Sequence, residues 1–338
     1  MNELNHWHPV LLSKDLKKKP ISIKLCGQEI VLFRTGKGNI GALEDICPHR
    51  RMRLSEGSVN QERLVCPYHG WNYEAGGTGC SASTPDLKLR TKNFAVTDRY
   101  GLIWIKAADS NAELPNLDFP DYQQVCLLEH RVHAPLELLV DINSEIEHAA
   151  LVHTFFGHAI SQVSQVDVQC DFSDSEVTRI KETMPQKPLP KLLERLFSVQ
   201  GRDRFVDEIE FRFSPVYKMS QLYWKNSPTG EYRKERVRSV YFFTPISERE
   251  TKWISLYYIA SPRWGKLLFH LVQKPILKTI MNHEGNREKQ LLEKIPDKQL
   301  ELESMCLGRL DSAIVENRQR LKRIYRQQRQ LVGSPREC

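Results

Sequence analysis

No uninterrupted apolar run in the sequence approaches the roughly 20 residues that a membrane-spanning helix needs. The longest candidate, Leu267 to Met281, is broken by His270, Lys274, Pro275 and Lys278. The opening MNELNHWHPVLL lacks the basic-then-apolar pattern of a secretory signal, so a cytoplasmic protein is the expectation. Internal repeats and low-complexity tracts are absent as well. So are the zinc-finger, homeodomain and ribonucleoprotein patterns, which leaves nucleic-acid binding without support. The eight cysteines, at positions 26, 47, 66, 80, 126, 170, 306 and 338, are too scattered in a chain this long to form a disulfide framework.

What remains is an ordinary globular composition, 40% hydrophobic and 27% charged over 338 residues, enough for about two domains. Short β-like runs dominate the first hundred residues: Ile21–Leu25, Glu29–Arg34, Arg63–Val65 and Leu102–Lys106, punctuated by Gly, Asn and Pro. They predict a small all-β domain over residues 5–110. The polar, proline-containing stretch DSNAELPNLDFPDY that follows marks a linker over 111–125. Residues 126–338 change character. Glu137 to His153 carries a helical period, while Glu208–Phe213, Val237–Thr244 and Trp253–Ala260 read as strands with a turn at Asn226–Gly230. Charged helical sequence resumes near Asn286. This second domain reads as α+β with an antiparallel sheet. The net charge of +7 is concentrated near the end, in RQRLKRIYRQQR (Arg318 to Arg329), which predicts a solvated helix with Leu321, Ile324 and Leu331 turned inward.

Two short motifs carry chemistry. CPHR places Cys47 and His49 two apart, and CPYHGW places Cys66 and His69 three apart. Two thiolates and two imidazoles in paired loops suit either a tetrahedral zinc or a [2Fe–2S] cluster. The interleaved order Cys–His, Cys–His favours the cluster, because each loop then gives one ligand to each iron, whereas zinc fingers usually pair like with like. These two loops resemble those of Rieske domains nearly residue for residue. Respiratory Rieske proteins carry an additional cysteine in each loop; Met52 and Tyr68 stand there instead, so the resemblance is to the oxygenase and ferredoxin branch. Arg50, Arg51 and Arg53 follow His49 directly and are candidates to attract an acidic electron donor, or to serve as ordinary salt-bridge partners.

The second domain extends the resemblance. In LLVDINSEIEHAALVH, Glu145 and His148 share a face if the segment is helical, and His153 converges on them only if that helix distorts or ends. Two histidines and a carboxylate make up the facial triad of non-haem iron(II) oxygenases. The stretch resembles the D-x-x-H-x-x-x-x-H motif of Rieske oxygenase catalytic domains, with Glu145 in place of the usual aspartate. By that resemblance His148 and His153 hold a mononuclear iron, and Glu145 bridges an iron-ligating histidine to the cluster histidine of a neighbouring subunit. The third ligand is Glu288, in the segment Asn286–Glu293, with Glu284 one turn away in reserve. The resemblance implies a helix-grip-like catalytic domain, a homotrimer, and the use of O2 to hydroxylate or demethylate an apolar organic substrate. The chain has no GxGxxG loop and no plant-type ferredoxin motif, so its electrons must come from a ferredoxin or flavin reductase. Leu151, Phe155, Phe156 and Ile160 are candidates to line the pocket. Trp264 to Met281 is amphipathic enough to touch a membrane surface or cover a greasy substrate, although a buried helix pair around Pro275 is the plainer account.

Overall fold

The computed structural model describes residues 2–197, 199–201, 203–260, 272–298 and 301–327. The chain forms two compact units. One holds residues up to Leu117 together with Thr244–Glu248; the other holds Asp118–Phe243 and the described residues from Arg249 onward. No helix among the described residues is long and apolar enough to cross a membrane.

The first unit is built from short antiparallel strands: β1 (His8–Leu12), β2 (Ile21–Leu25), β3 (Gln28–Arg34), β4 (Ile40–Glu44), β5 (Ser58–Asn60), β6 (Arg63–Val65), β7 (Asn72–Tyr73), β8 (Thr78–Cys80), β9 (Leu89–Arg90), β10 (Phe94–Arg99) and β11 (Leu102–Ala107). They make sheets ordered β1-β11-β10, β2-β3-β4 and β5-β6-β7-β8-β9. Strand β3 is buried on both faces, which accounts for its continuous apolar run Ile30–Phe33. Ile30 and Leu32 pack with Leu25, Ile103 and Ile105. Val31 and Phe33 pack on the other side with Leu43, Leu64, Trp71, Tyr73 and the thiols of Cys47 and Cys66. The same core that closes this unit therefore anchors both cysteines.

The second unit is one seven-stranded sheet with helices. Its elements are β12 (Tyr122–Val132), α1 (Leu136–Ile142), β13 (Asp167–Asp171), β14 (Val177–Pro185), α2 (Lys191–Phe197), β15 (Asp203–Phe213), β16 (Val216–Asn226), β17 (Tyr232–Ser247), β18 (Glu250–Ala260), α3 (Lys274–Lys294) and α4 (Ser312–Arg320). The strand order is β12-β18-β17-β16-β15-β14-β13, so β13 to β17 form a meander of long hairpins. Strand β12 begins at Tyr122, inside the stretch read from sequence as linker. The turn at Asn226–Gly230 falls between β16 and β17; Asn226 Oδ1 accepts the Thr229 N–H, and Gly230 supplies the positive φ.

Helix α3 has Pro275 in its first turn, where the missing N–H costs nothing. Its buried stripe is Leu277, Ile280, Met281, Glu284, Gly285, Glu288 and Leu292, a helical period in which two glutamates take core positions. Gly285 lets α3 approach β12: a Cβ there would stand 3.1 Å from Cε1 of His130. The part of the amphipathic stretch at 264–271 lies outside the described residues; its remainder forms the start of α3. The basic segment at 318–327 is only in part the solvated face expected of it. Gln319, Lys322 and Arg323 are exposed and Leu321 is buried, but Arg318 and Arg320 are buried too, Arg318 paired with Asp141 of α1 and Arg320 with Glu316 of its own helix and the Phe172 carbonyl. Leu331 lies outside the described residues.

Candidate active site

The two cysteine–histidine loops share one backbone design. In the first, the carbonyl of Cys47 accepts the Arg51 N–H and the Cys47 N–H donates to Met52; in the second, Cys66 makes the corresponding bonds with Gly70 and Trp71. Arg51 and Gly70 occupy the matching positive-φ position, at +63° and +71°. Each loop sends its thiol inward and its imidazole outward: Cys47 and Cys66 are buried, His49 and His69 exposed. The imidazoles lie 4.6 Å apart between ring centroids. His49 stacks on Trp71 at 4.0 Å and His69 on Tyr68 at 3.9 Å. The Tyr73 hydroxyl lies 3.2 Å from Cys47 Sγ, and the backbone N–H groups of Tyr68 and His69 face Cys66 Sγ. Burial, and then the neighbouring Cys47, push the Cys66 thiol up from its usual range. Two adjacent buried thiols, with N–H and O–H donors aimed at sulfur, form a donor set that suits a bound cation centre. Of the three arginines, Arg53 is spoken for by Glu29 at 2.7 Å and Asp45 at 3.7 Å. Arg50 lies over the exposed Tyr68 ring.

The segment from 137 to 153 is not one helix. Helix α1 ends at Ile142 because Asn143 Nδ2 donates to the Leu139 carbonyl and Ser144 Oγ to that of Val140, taking the acceptors that further helical N–H groups would need. A 3₁₀ turn follows at Glu147–Ala150. Glu145 thus stands outside any helix, and its carboxylate caps His148 twice. It accepts the His148 backbone N–H at 3.1 Å and lies 2.6 Å from ring Nδ1. With Nδ1 holding the proton for Glu145, His148 Nε2 presents a lone pair, the tautomer a metal ligand requires. Burial opposes ionisation of Glu145, but the hydrogen bonds from His148 prevail and hold its carboxyl below the usual carboxylate range. The same contact outweighs burial at His148 and raises its imidazole.

Beyond the turn the chain is pinned from two sides. Lys187 Nζ donates to the carbonyls of Ala149 and His153. Arg287 of α3 donates to those of Leu151 and Val152. Glu284 accepts the N–H groups of Thr154 and Phe155. This grip swings His153 back toward His148, so that their Nε2 atoms stand 3.1 Å apart, and His153 Nε2 is 3.0 Å from Glu288 Oε1. Burial resists a charge on Glu288, yet His153 and His148 draw it below its usual range. His148, His153 and Glu288 offer donor atoms within 4.8 Å of one another. Two donors each roughly 2.1 Å from one ion and at right angles are about 3 Å apart, so the spacings of His153 to His148 and to Glu288 suit cis ligands of a single metal. Glu284, the reserve candidate, is taken up by the backbone and reaches only Nδ1 of His153, at 3.9 Å.

The triad opens on a cavity enclosed by the second unit, with about 70 Å³ open to the centres of water-sized molecules, room for about five waters. Ile142, Phe156, Phe205, Tyr241, Tyr257 and Met281 give it an apolar lining. Of the four apolar residues expected there, Phe156 lines the cavity, whereas Leu151 and Ile160 are exposed. Sequence reading also passed over Glu182, Asp207 and Lys218, which line the same cavity from β14, β15 and β16. Their signal was present: each acid interrupts an inward-facing register of apolar residues, Ile180 and Met184 in one strand, Phe205 and Ile209 in the other.

Residues 6–94 match the Rieske [2Fe–2S] domain family. Among curated proteins, the vanillate O-demethylase oxygenase subunit of Pseudomonas sp. (strain HR199 / DSM 7063) is 31% identical over 160 residues, covering 44% of this chain and 44% of that protein. The 4beta-methylsterol monooxygenase of Methylococcus capsulatus (strain ATCC 33009 / NCIMB 11132 / Bath) is 25% identical over 276 residues, 74% of this chain and 71% of that one. The matches to the first of the curated relatives span less than half of those proteins' length. A crystal structure of dicamba monooxygenase bound to dicamba shares the fold, with a TM-score of 0.76 at 19% identity, over 96% of this chain and 98% of that one. Residues 6–94 therefore form a Rieske [2Fe–2S] domain, in a chain homologous to Rieske oxygenase subunits.

Proposed function

We propose that this chain is the oxygenase subunit of a Rieske non-haem iron system, which uses O2 to hydroxylate or demethylate a largely apolar organic molecule. The convergence of His148, His153 and Glu288 on a cavity, in a chain that also carries a Rieske domain, is the observation that supports this best. Cys47, His49, Cys66 and His69 would hold the cluster, and the triad the iron. When bound, the cluster supplies single electrons and the mononuclear iron a place for dioxygen to be activated. The protein's own work is positional. Glu145 keeps the proton of His148 on Nδ1, while Glu284, Arg287 and Lys187 fix the loop that aims His153. Phe156, Tyr241 and Tyr257 exclude water from the reacting end.

A ferredoxin or flavin reductase is the expected electron source, and the exposed imidazole edge of His49 and His69 is where it would dock. A head-to-tail homotrimer would give Glu145 a second role, as a link from His148 to a cluster histidine of the next subunit. A reducing compartment such as the cytoplasm suits a chain whose seven described cysteines form no disulfide with one another. The first test is chemical analysis of protein purified without oxygen. About three iron to two sulfide per chain, falling to about two iron in His148→Ala, is the expected result. About two iron in the wild type would leave an electron carrier with a non-catalytic second unit.

A further inference from the structure

The cavity beside the triad has a polar wall that metal binding does not use. Glu182 on β14 and Asp207 on β15 are direct register partners across an antiparallel pair, so their side chains leave the sheet on one face. Both are buried, Glu182 at 1% exposure and Asp207 at 6%. Lys218 and Ser220 stand on the next strand, β16, and line the same cavity. Asp207 and Ser220 lie near one another, but among the described residues neither Asp207 Oδ1 nor Ser220 Oγ completes a well-formed hydrogen bond. Among the described residues no ion pair joins Lys218 to either carboxyl group; its ammonium lies over the Tyr241 ring instead, 5.7 Å from the centroid. Like charges directly opposed across strands destabilise a sheet, and unsatisfied buried polar atoms cost more. Folding alone would be better served by apolar side chains, which the same registers carry on either side. The wall is therefore poised for something that enters the cavity.

The charge balance says what. Two carboxyl groups face one lysine, so the wall is short of a cation and of N–H donors, not of acceptors. Burial first, and then the charge of Asp207, push Glu182 up to about 8. In the unliganded cavity a proton thus occupies the place of the missing cation. An alkylammonium group carries three N–H donors and one positive charge, which matches Glu182, Asp207 Oδ1 and Ser220 Oγ; a carboxylate in the same place would meet two acids.

We propose that the substrate of this site carries an amine, received as an ammonium ion by Glu182 and Asp207 with Ser220 as a third acceptor, while its apolar body lies along Phe156, Phe205 and Tyr257. This rests on the cavity being the substrate site of the function proposed above. Binding can nevertheless be read without turnover, iron loading or an electron donor, so the two can fail separately. Four fragments of one shape serve as probes: benzylamine, benzyl alcohol, toluene and benzoate, titrated by calorimetry or ligand-observed NMR. Benzylamine should bind roughly tenfold or more tightly than toluene and benzoate, the scale of charge-assisted hydrogen bonds. Asp207→Asn and Glu182→Gln, which keep side-chain shape, should each remove that preference while leaving circular dichroism and cluster absorbance unchanged; the wild-type ranking decides the matter should a variant fail to fold. The proposal is overturned by equal binding of benzylamine and toluene, or by no benzylamine binding at millimolar concentration. It is overturned equally by a preference for benzoate that disappears in Lys218→Met, which would make the wall an anion site.

Discussion

Arg53 and Arg51 are two residues apart in sequence and have different employment. Arg53 bridges Glu29 and Asp45 within its own unit, so reversing its charge would break local ion pairs and say nothing about a partner. Arg51 is exposed at the crest of the first loop. Arg51→Glu should therefore slow reduction by an acidic donor protein at low salt, with cluster content unchanged and the difference fading as salt is raised. Stopped-flow rates that do not change at low salt would remove Arg51 from the docking surface. A second residue-scale outcome follows from Glu182. In the unfolded chain this carboxyl releases its proton near 4.5, in the folded cavity only near 8. Between those values the native state holds the additional proton, so stability falls as pH rises through that window and levels off above it. Glu182→Gln cannot ionise. Its melting temperature relative to wild type should climb from pH 5 to pH 8, measured without ligand in the cavity. A constant offset across that range would mean that Glu182 does not hold the additional proton.

Helix α4 acts on the triad from behind. Arg318 makes a two-pronged pair with Asp141 at 2.5 and 2.7 Å, nearly buried on both sides, and Asn317 Nδ2 donates to Ser144 Oγ at 2.8 Å. Both contacts grip the chain where α1 ends, one to four residues before Glu145. Removing one partner of a buried pair strands the other, at a cost of about 3–5 kcal/mol. Arg318→Ala should lower the melting temperature and lose the mononuclear iron first, with the cluster retained. Iron and sulfide analysis of the variant checks this, since equal loss of both metals would deny α4 a local role. What the sequence made legible and what it concealed divide along the same line. Strands with clean alternation or a fully buried run were read at their true positions, as at Ile21–Leu25 and Arg63–Val65, because the period of a strand is local. The two cysteine–histidine loops were legible because their ligands lie within four residues of each other. The helical period read over 137–153 holds only as far as Ile142, and the helix ends before His148, the condition under which His153 was expected to converge; only the side chains of Asn143 and Ser144, competing for helix carbonyls, reveal where it stops. Glu182 and Asp207 each show locally as an acid that breaks an apolar register, but their facing one another comes from a cross-strand pairing, which no local window contains. Buried Arg318 was misread for a related reason: a charge run looks solvated until its distant acid, here Asp141, is known.

At the scale of the whole molecule, one chain carries two donor sets in two separate units, the cluster residues in the first and the triad in the second. Each chain could serve itself, or each could serve a neighbour in a ring. His49 and His69 are exposed, so a cluster that they hold would be open to a partner chain as well as to a reductase. Glu145 holds His148 and keeps 13% side-chain exposure, so a contact from a neighbouring chain could still reach it. Complementation separates the two arrangements. A His69→Ala chain lacks a cluster ligand and a His148→Ala chain lacks an iron ligand, so each alone should be silent in oxygen uptake driven by a chemical reductant. If subunits serve each other head to tail, co-expressing the two in equal amounts creates some pairs in which an intact cluster faces an intact triad. Random assembly of a closed ring gives about a quarter of all sites such a pairing, and uptake should recover to about that share of wild type. Service within a chain predicts no recovery at any mixing ratio, because no single polypeptide then holds both intact sets. Mixing the purified variants without co-expression is the control: recovery only after subunit exchange would place the transfer across a stable interface, and not in a passing collision.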